Sequence, residues 1–508
     1  MTESHSAPLT LFNSLTRQPE KFRPVHPGEA RVYTCGPTVY NYQHIGNMRA
    51  YIFADTLGRV LSWKGYELAH IINITDVGHL TSDADAGDDK MEKAASESGK
   101  SAWDIAKFYT QAYWRDIERL NIRQPARWSI ATEHVEQMID FAKSIADKHC
   151  YELDSGLYFD TSTVPDYGRL ARANTDEGES RIDPVEGKRH ATDFAIWRKT
   201  PEGETRQMEW DSPWGKGAPG WHLECSVMSK MYLGETFDIH TGGIDHREIH
   251  HPNEIAQNQA HSCSADTGAN IWMHNNFLVD HGGKMSKSAG EFLTLQLLVD
   301  KGVHPLAYRL MCLQAHYRSE LEFTFDNLLA ALTRLKRMVM AVEAIKNRHA
   351  ELVSASTSQS ARTVPTDGWT LKQVQGDEDI RSNIQYLDQI RELDEAISDD
   401  LNTPMALLSL EVFLGSKAVD PIVSLKEIAA TDAILGLDLL TLTREDLRIR
   451  PTSAEITEVE IERQLDLRQN AKANKNFPAA DAIRDELAAR GVEIMDGDPL
   501  RWDWRIDV

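Results

Sequence analysis

Two cysteines, a histidine and a glutamate in this chain have the types and spacings of a metal site. Cys35 follows the apolar run Val32-Tyr33-Thr34 and stands nine residues ahead of His44-Ile45-Gly46-Asn47. Cys225 lies in Pro219-Gly220-Trp221-His222-Leu223-Glu224-Cys225-Ser226, in the first turn of an expected helix. His250 and Glu254 are four apart, which puts them on one helical face. Two thiolates, one imidazole and one carboxylate are a set suited to zinc. Taken singly, each has a plainer reading: a buried Cys is usually a small hydrophobe, and His-x-x-x-Glu on a helix is usually an exposed pair. What joins them is that all three segments flank the ends of expected strands. Pro252 is tolerated in a first helical turn but leaves the helix start open, so His251 stands as the alternative ligand to His250.

Two further segments could handle phosphate. A helix opening after Gly46 would aim unpaired N–H groups and a positive dipole end at an anion, with His44 as a hydrogen-bonding partner and Asn47 supporting the turn. Alone, such a turn is more often a capped surface turn. Much later, Gly282-Gly283-Lys284-Met285-Ser286-Lys287-Ser288-Ala289-Gly290 follows an apolar strand. Its glycines give the loop freedom, and Lys284 and Lys287 can grip a polyphosphate whose charge builds in a transition state.

These segments need a frame. Residues 31–35 read as a strand, 48–63 as a helix with Ile52, Leu57, Val60 and Leu61 inward, and 68–74 as a strand covered on both faces. That β-α-β pattern places Cys35 and Thr75-Asp76 at carboxyl strand ends, where ligands bind. Residues 101–148 read as two helices, and strands resume at 236–240 and 271–279. From Pro305 the pattern is helical, with Leu328, Leu329, Leu332 and Leu335 at spacings of three and four.

Composition excludes whole classes of function. A chain of 508 residues should divide into about three or four domains. It has no run of roughly 20 apolar residues, and Met1-Thr2-Glu3-Ser4-His5-Ser6 lacks a signal peptide, so a cytoplasmic protein without membrane contact is expected. The five cysteines form no Cys-x-x-Cys pair, which argues against a disulfide framework. A net charge of −23 argues against indiscriminate nucleic-acid binding, although a local basic surface can still grip phosphates.

His44-Ile45-Gly46-Asn47 and Lys284-Met285-Ser286-Lys287-Ser288 together resemble the paired signatures of class I aminoacyl-tRNA synthetases, usually written His-Ile-Gly-His and Lys-Met-Ser-Lys-Ser. With Cys35, Cys225, His250 and Glu254, and with Asn73-Ile74-Thr75-Asp76, Asp238-Ile239-His240, Ala315-His316-Tyr317-Arg318-Ser319 and Leu401-Asn402-Thr403-Pro404, the chain is similar to the cysteinyl-tRNA synthetase family over nearly its whole length. The resemblance implies ATP-dependent activation of L-cysteine as its adenylate and transfer to the 3′ end of tRNA(Cys), by a monomer. Magnesium would accompany ATP, and one zinc per chain on Cys35, Cys225, His250 and Glu254 would take the substrate thiol. It implies catalytic roles for His44, Lys284 and Lys287, and ATP binding by His44, Asn47, Gly243, Asp245 and Lys287. Thr75, Trp221 and His240 would line the cysteine pocket. Two departures stand out: Asn47 in place of the second histidine, and Glu248-Ile249 with Pro252 where the family commonly reads Phe-Pro-His-His-Glu-Asn-Glu.

The resemblance also implies an architecture. The expected fold is α/β: a Rossmann-type parallel-sheet catalytic domain with an insertion, then an α-helical bundle and a small C-terminal anticodon-binding domain. The boundaries are 1–100 and 216–320 for the catalytic halves, 101–215 for the insertion, 321–450 for the bundle with an insert at 347–378, and 451–508 for the last unit. Arg334, Lys336, Arg337, Lys346 and Arg348 give the bundle a basic edge. In the last unit Arg463, Arg468, Lys472 and Lys475 are basic, and Trp502 and Trp504 are either base-stacking residues or core. No segment is large enough for an editing domain. Two rival functions share the motifs: a ligase passing cysteine to an amino sugar, which would lack the last unit, and a catalytically silent tRNA-binding paralogue.

Overall fold

The computed structural model describes residues 7–78, 90–171, 187–280, 283–284, 293–357, 388–415, 419–495 and 498–506. Its centre is a five-stranded sheet in the order Ala269–Asn275, Phe237–Gly243, Glu29–Thr34, Glu67–Ile74, Arg127–Ile130, with every neighbouring pair parallel. The chain starts in the middle strand, builds outward to one edge, then returns to build the other. The order therefore reverses between Glu29–Thr34 and Phe237–Gly243, and the crevice beyond the carboxyl ends of these two strands is where such sheets bind ligands.

The outer strand Arg127–Ile130 moves the expected boundary at residue 100, because a strand assigned to the insertion belongs to the central sheet. At four residues it is too short to show a periodicity, and it sits between helices Ala102–Arg119 and Val135–His149. The insertion itself is a four-stranded antiparallel sheet of Cys150–Leu153, Gly156–Phe159, Phe194–Lys199 and Gly217–Pro219.

Helix Ile45–Trp63 crosses one face of the sheet and buries Ile45, Met48, Ile52, Leu57, Val60 and Leu61. Helices Trp221–Leu233 and His250–Ser262 pack on the opposite face over a second apolar layer that includes Leu223, Val227, Ile255 and Trp272. The first layer runs on into the helical bundle through Leu328, Leu332, Leu335, Leu410 and Ile428, so the bundle and the sheet domain share one continuous core. The bundle contains Phe325–Thr357, Asp388–Ser398, Thr403–Gly415 and Pro421–Leu435. Most of the expected insert at 347–378 lies outside the described residues, which end at Thr357 and resume at Asp388.

The last unit pairs helices Glu458–Ala473 and Phe477–Ala489 with a hairpin of Val492–Ile494 and Trp502–Trp504, around a core of its own. Trp502 and Trp504 belong to that core, 0% and 4% exposed, so neither presents a ring for stacking. The basic edge of the bundle is likewise turned partly inward. Arg334 pairs with Glu411 at 2.6 Å, Lys346 donates to the Leu440 carbonyl at 2.6 Å, and Lys336 meets Asp503 of the last unit.

Candidate active site and metal centre

A cleft of about 470 Å³ opens at the crevice between the two central strands. Cys35, His44, Asn47, Thr75, Trp221, Cys225, Gly243, Asp245 and His250 all line it, from segments up to 215 residues apart. Sheet register puts Cys35 there. Thr34 pairs with Thr241 across the parallel ladder, and the Cys35 N–H donates to the Thr241 carbonyl at 3.1 Å. Gly36 then lets the chain leave the sheet close against Asn73. A Cβ at residue 36 would fall 1.6 Å from the Asn73 carbonyl oxygen, so no side chain fits. The Asn73 side-chain oxygen in turn accepts from the Gly36 N–H at 2.7 Å.

At the other end of this turn, His44 is the N-cap of helix Ile45–Trp63. Its Nδ1 accepts from the Gly46 N–H at 3.0 Å, which requires the neutral ring to carry its proton on Nε2. Asn47 donates to Gln43 Oε1 at 3.3 Å. The helix N-terminus and a fixed ring N–H thus face the same cleft as Cys35.

The metal-type residues meet on its floor. Among the described residues, the ligand atoms of Cys35, Cys225, His250 and Glu254 all lie within 4.8 Å of one another, and all four residues are buried. Zinc bonds of about 2.0–2.3 Å in a tetrahedron put ligand atoms roughly 3.3–3.8 Å apart, so the grouping has the compactness zinc needs, and its donors are those zinc takes. Helix His250–Ser262 begins at His250, with Pro252 in its first turn, which supplies the four-residue spacing to Glu254. His250 Nε2 stands 3.0 Å from Glu254 Oε1.

Charge in this cluster is tightly coupled. Hydrogen bonding from Cys35 is the main cause that brings the Cys225 thiol down to about 6, while burial and the neighbouring Cys225 push Cys35 well up. Burial opposes ionisation of Glu254, yet His240 and His250 hold it down to about 2. Burial likewise opposes the charged form of His250, and Glu254 with Cys225 overcomes it, raising the imidazole to about 10. One thiolate, one carboxylate and one imidazolium are the favoured forms without a metal.

His251 borders the cluster on the side of Cys35, away from Cys225. Its Nε2 meets Cys35 Sγ at 3.3 Å and its Nδ1 meets His274 Nε2 at 2.8 Å, and His274 reaches Ser14 at 2.8 Å. A second grouping of Cys35, His240, His251 and Glu254 is as compact but lacks the second thiol. His240 does not line the cleft. It lies behind Glu254, donating from Nε2 to the carboxylate Oε2 at 2.9 Å, and stacks on Trp272 at 4.5 Å. Thr75 donates to Glu224 Oε2 at 2.8 Å, and Trp221 covers the His250 ring at 4.3 Å between centroids.

Four participants escaped the sequence reading: His222, His246, His274 and Glu224. His222 meets His250 at 2.9 Å between their Nδ1 atoms, and the His246 ring lies 5.0 Å from that of His250. The signal available was density, because His240, His246, His250 and His251 fall within twelve residues. Of the two lysines, Lys284 is in a two-residue strand paired with Val279, and Lys287 lies outside the described residues.

Residues 21–333 match the family model described as tRNA synthetases class I (C) catalytic domain. A cysteine–tRNA ligase of Novosphingobium aromaticivorans is 65% identical, covering 99% of this chain and 98% of its own. That of Zymomonas mobilis is 54% identical, with 98% of each chain covered. This chain belongs to the cysteine–tRNA ligase family of class I tRNA synthetases. The cysteine–tRNA ligase of Treponema denticola is 42% identical, covering 96% of this chain and 98% of its own. Among solved structures, the fold is similar to that of Mycobacterium tuberculosis methionyl-tRNA synthetase in complex with methionyl-adenylate. The TM-score is 0.51 at 12% identity, covering 80% of this chain and 90% of the other. The LeuRS–tRNA–LeuAMS ternary complex of Agrobacterium radiobacter K84 gives 0.52 at 13%, covering 84% and 85%. No described helix of this family member is long and apolar enough to cross a membrane.

Proposed function

We propose that this chain charges tRNA(Cys) with L-cysteine in two steps, activation by ATP and then transfer, acting in the cytoplasm as a monomer. One observation carries the reading: two thiols, His250 and Glu254 converge on the floor of the cleft whose wall is the His44 helix terminus. Recognition of a thiol and activation of a carboxylate can then occur within one small molecule's length.

Cys35, Cys225, His250 and Glu254 would hold zinc, which binds the substrate sulfur as thiolate and so prefers cysteine strongly over serine. We assign His250 rather than His251 because it shares a grouping with both thiols. His240 is a positioning residue that fixes the Glu254 carboxylate, while Thr75 and Trp221 form the wall against which cysteine lies. An apolar pocket alone separates side chains of this size by only about 10- to 200-fold, which is why a sulfur-selective centre matters.

In the first step the cysteine carboxylate attacks the α-phosphorus of ATP, and magnesium pyrophosphate leaves. No protein nucleophile is needed, so the residues act by positioning and charge stabilisation. His44 donates from Nε2 to phosphate, and the helix N-terminus that it caps adds its N–H groups. Asn47 supports this turn, Gly243 allows the nucleotide close approach, and Asp245 accepts from ribose hydroxyls. Lys284 and Lys287 neutralise the departing pyrophosphate. In the second step a hydroxyl at the tRNA 3′ end attacks the activated carbonyl, and AMP leaves.

Cysteine-dependent exchange of pyrophosphate into ATP, with serine as control, followed by charging of tRNA(Cys), tests this. Exchange with cysteine alone and charging of the tRNA are expected. No exchange by zinc-loaded protein sinks the reading, and exchange without charging turns it toward the amino-sugar ligase.

A further inference from the structure

Tyr42 stands at the rim of the cleft, two residues before His44, and is 41% exposed. Its ring meets Phe108 at 6.0 Å and Tyr109 at 5.1 Å, and those two meet each other at 5.1 Å, all edge to face. Phe108 is 39% exposed on helix Ala102–Arg119, among Asp104, Lys107 and Gln111, which are exposed polar residues. Lys100 Nζ lies 5.2 Å from the Phe108 ring centre. Tyr42 and Phe108 are exposed and Phe108 belongs to none of the buried layers, while half-buried Tyr109 rests against the first layer and anchors the other two rings.

We propose that Tyr42, Phe108 and Tyr109 are a stacking platform for the unpaired bases at the tRNA 3′ end, with Lys100 meeting the adjoining backbone phosphate. This rests on the tRNA-charging reading above. That reaction requires a single-stranded 3′ end to cross the rim and reach the cleft, and the rings are continuous with the rim through Tyr42. Every base has a face to stack, so aromatic rings capture unpaired nucleotides without needing sequence-specific hydrogen bonds. In a chain of net charge −23, a lysine beside the rings supplies the local attraction the phosphates need.

The test separates the two half-reactions. Phe108→Ala should keep wild-type pyrophosphate exchange, including its KM for ATP, because Phe108 does not line the cleft. Its kcat/KM for tRNA charging should fall about tenfold, mostly through KM for tRNA. Phe108→Tyr should restore charging and Phe108→Leu should not, which distinguishes stacking from simple apolar packing. Binding of tRNA trimmed of its unpaired 3′ nucleotides should be the same for wild type and Phe108→Ala. Wild-type charging by Phe108→Ala, an equal binding loss with trimmed tRNA, or a raised KM for ATP each overturns the platform, the last because the rings would then serve the nucleotide. A wild-type protein that exchanges pyrophosphate but charges no tRNA removes the reading and the platform together. An indifferent Phe108→Ala in a charging enzyme removes the platform alone.

Discussion

Asp55 and Glu254 are both carboxylates sealed inside the sheet domain, 4% and 0% exposed, and their partners differ in kind. Asp55 Oδ2 accepts from Arg59 at 2.7 Å and Arg309 at 2.6 Å, while Oδ1 accepts from the Arg123 N–H at 3.0 Å. The arginines are satisfied in turn. Arg309 donates to the Leu435 and Leu120 carbonyls, and Arg59 to those of Ala433 and Asn121. Glu254 is instead surrounded by titratable groups that compete for protons: two histidines within 3.0 Å and two thiols in the same knot. The Asp55 set is complete in itself and joins helix Ile45–Trp63 to the bundle. The Glu254 set gathers thiols, imidazoles and a carboxylate, the donor types a metal cation could take, where the Asp55 set gathers only counter-charges that close on one another.

Breaking the joint should have the largest effect. Asp55→Ala leaves buried arginines without their counter-charge, and a loss of about 3–5 kcal/mol is expected in denaturant unfolding. The pH dependence follows from its sign. Burial opposes ionisation, but Arg59 and Arg309 hold the Asp55 carboxyl well below the usual carboxylate range. Its stabilising contribution is therefore complete above about pH 4 and is lost as pH falls further. The wild type should show this acid loss, and Asp55→Asn should flatten it; an unchanged acid limb would mean the joint carries no stability.

Cys225→Ser should act in the opposite way, on chemistry more than on folding. Zinc content measured on purified protein should fall, and cysteine-dependent exchange should drop by about 100-fold or more, with the preference over serine shrinking alongside. Retention of both zinc and preference would remove Cys225 from the centre. A smaller effect is expected behind the ligands. His240→Phe keeps the stacking on Trp272 but frees the Glu254 Oε2 atom, so zinc affinity by chelator competition should weaken about 10- to 100-fold. If affinity holds while KM for cysteine rises, His240 touches the substrate and the positioning role is wrong.

The centre was legible because thiols and a His-x-x-x-Glu pair are rare enough to notice, and strand ends are where ligands gather. What sequence could not supply was direction. His240 lies on Phe237–Gly243, a strand buried on both faces, so no alternation tells which side it takes, and it faces the back of Glu254 rather than the cleft. His250 and His251 are neighbours, and only the helix start at His250 sends one toward Cys225 and the other between Cys35 and His274. The tryptophans of the last unit misled in a related way. Aromatic residues near basic ones suit RNA stacking and a small core equally, and the hairpin register that closes Trp502 over Glu462 is a long-range fact. Arg127–Ile130 was hidden by length alone, since four residues cannot display a period.

The smallest effect sharpens the comparison with a third carboxylate. Glu427, on bundle helix Pro421–Leu435, is 5% exposed among Ile390, Leu393, Leu410 and Phe413, and neither of its oxygens finds a hydrogen-bond partner among the described residues. It has neither the arginines of Asp55 nor the histidines of Glu254, and burial raises its carboxyl to about 7. A raised carboxyl favours the folded state most when protonated, so its contribution is full below about pH 4.5 and is lost as pH rises through 7. This slope is opposite to that of Asp55. Glu427→Gln, neutral at every pH, should stabilise the bundle by about 1 kcal/mol at pH 8 and change little at pH 5, read as Tm at the two values. Equal shifts at both pH values would mean that Glu427 is already paired when charged, and that the contrast among the three carboxylates lies only between the joint and the metal centre.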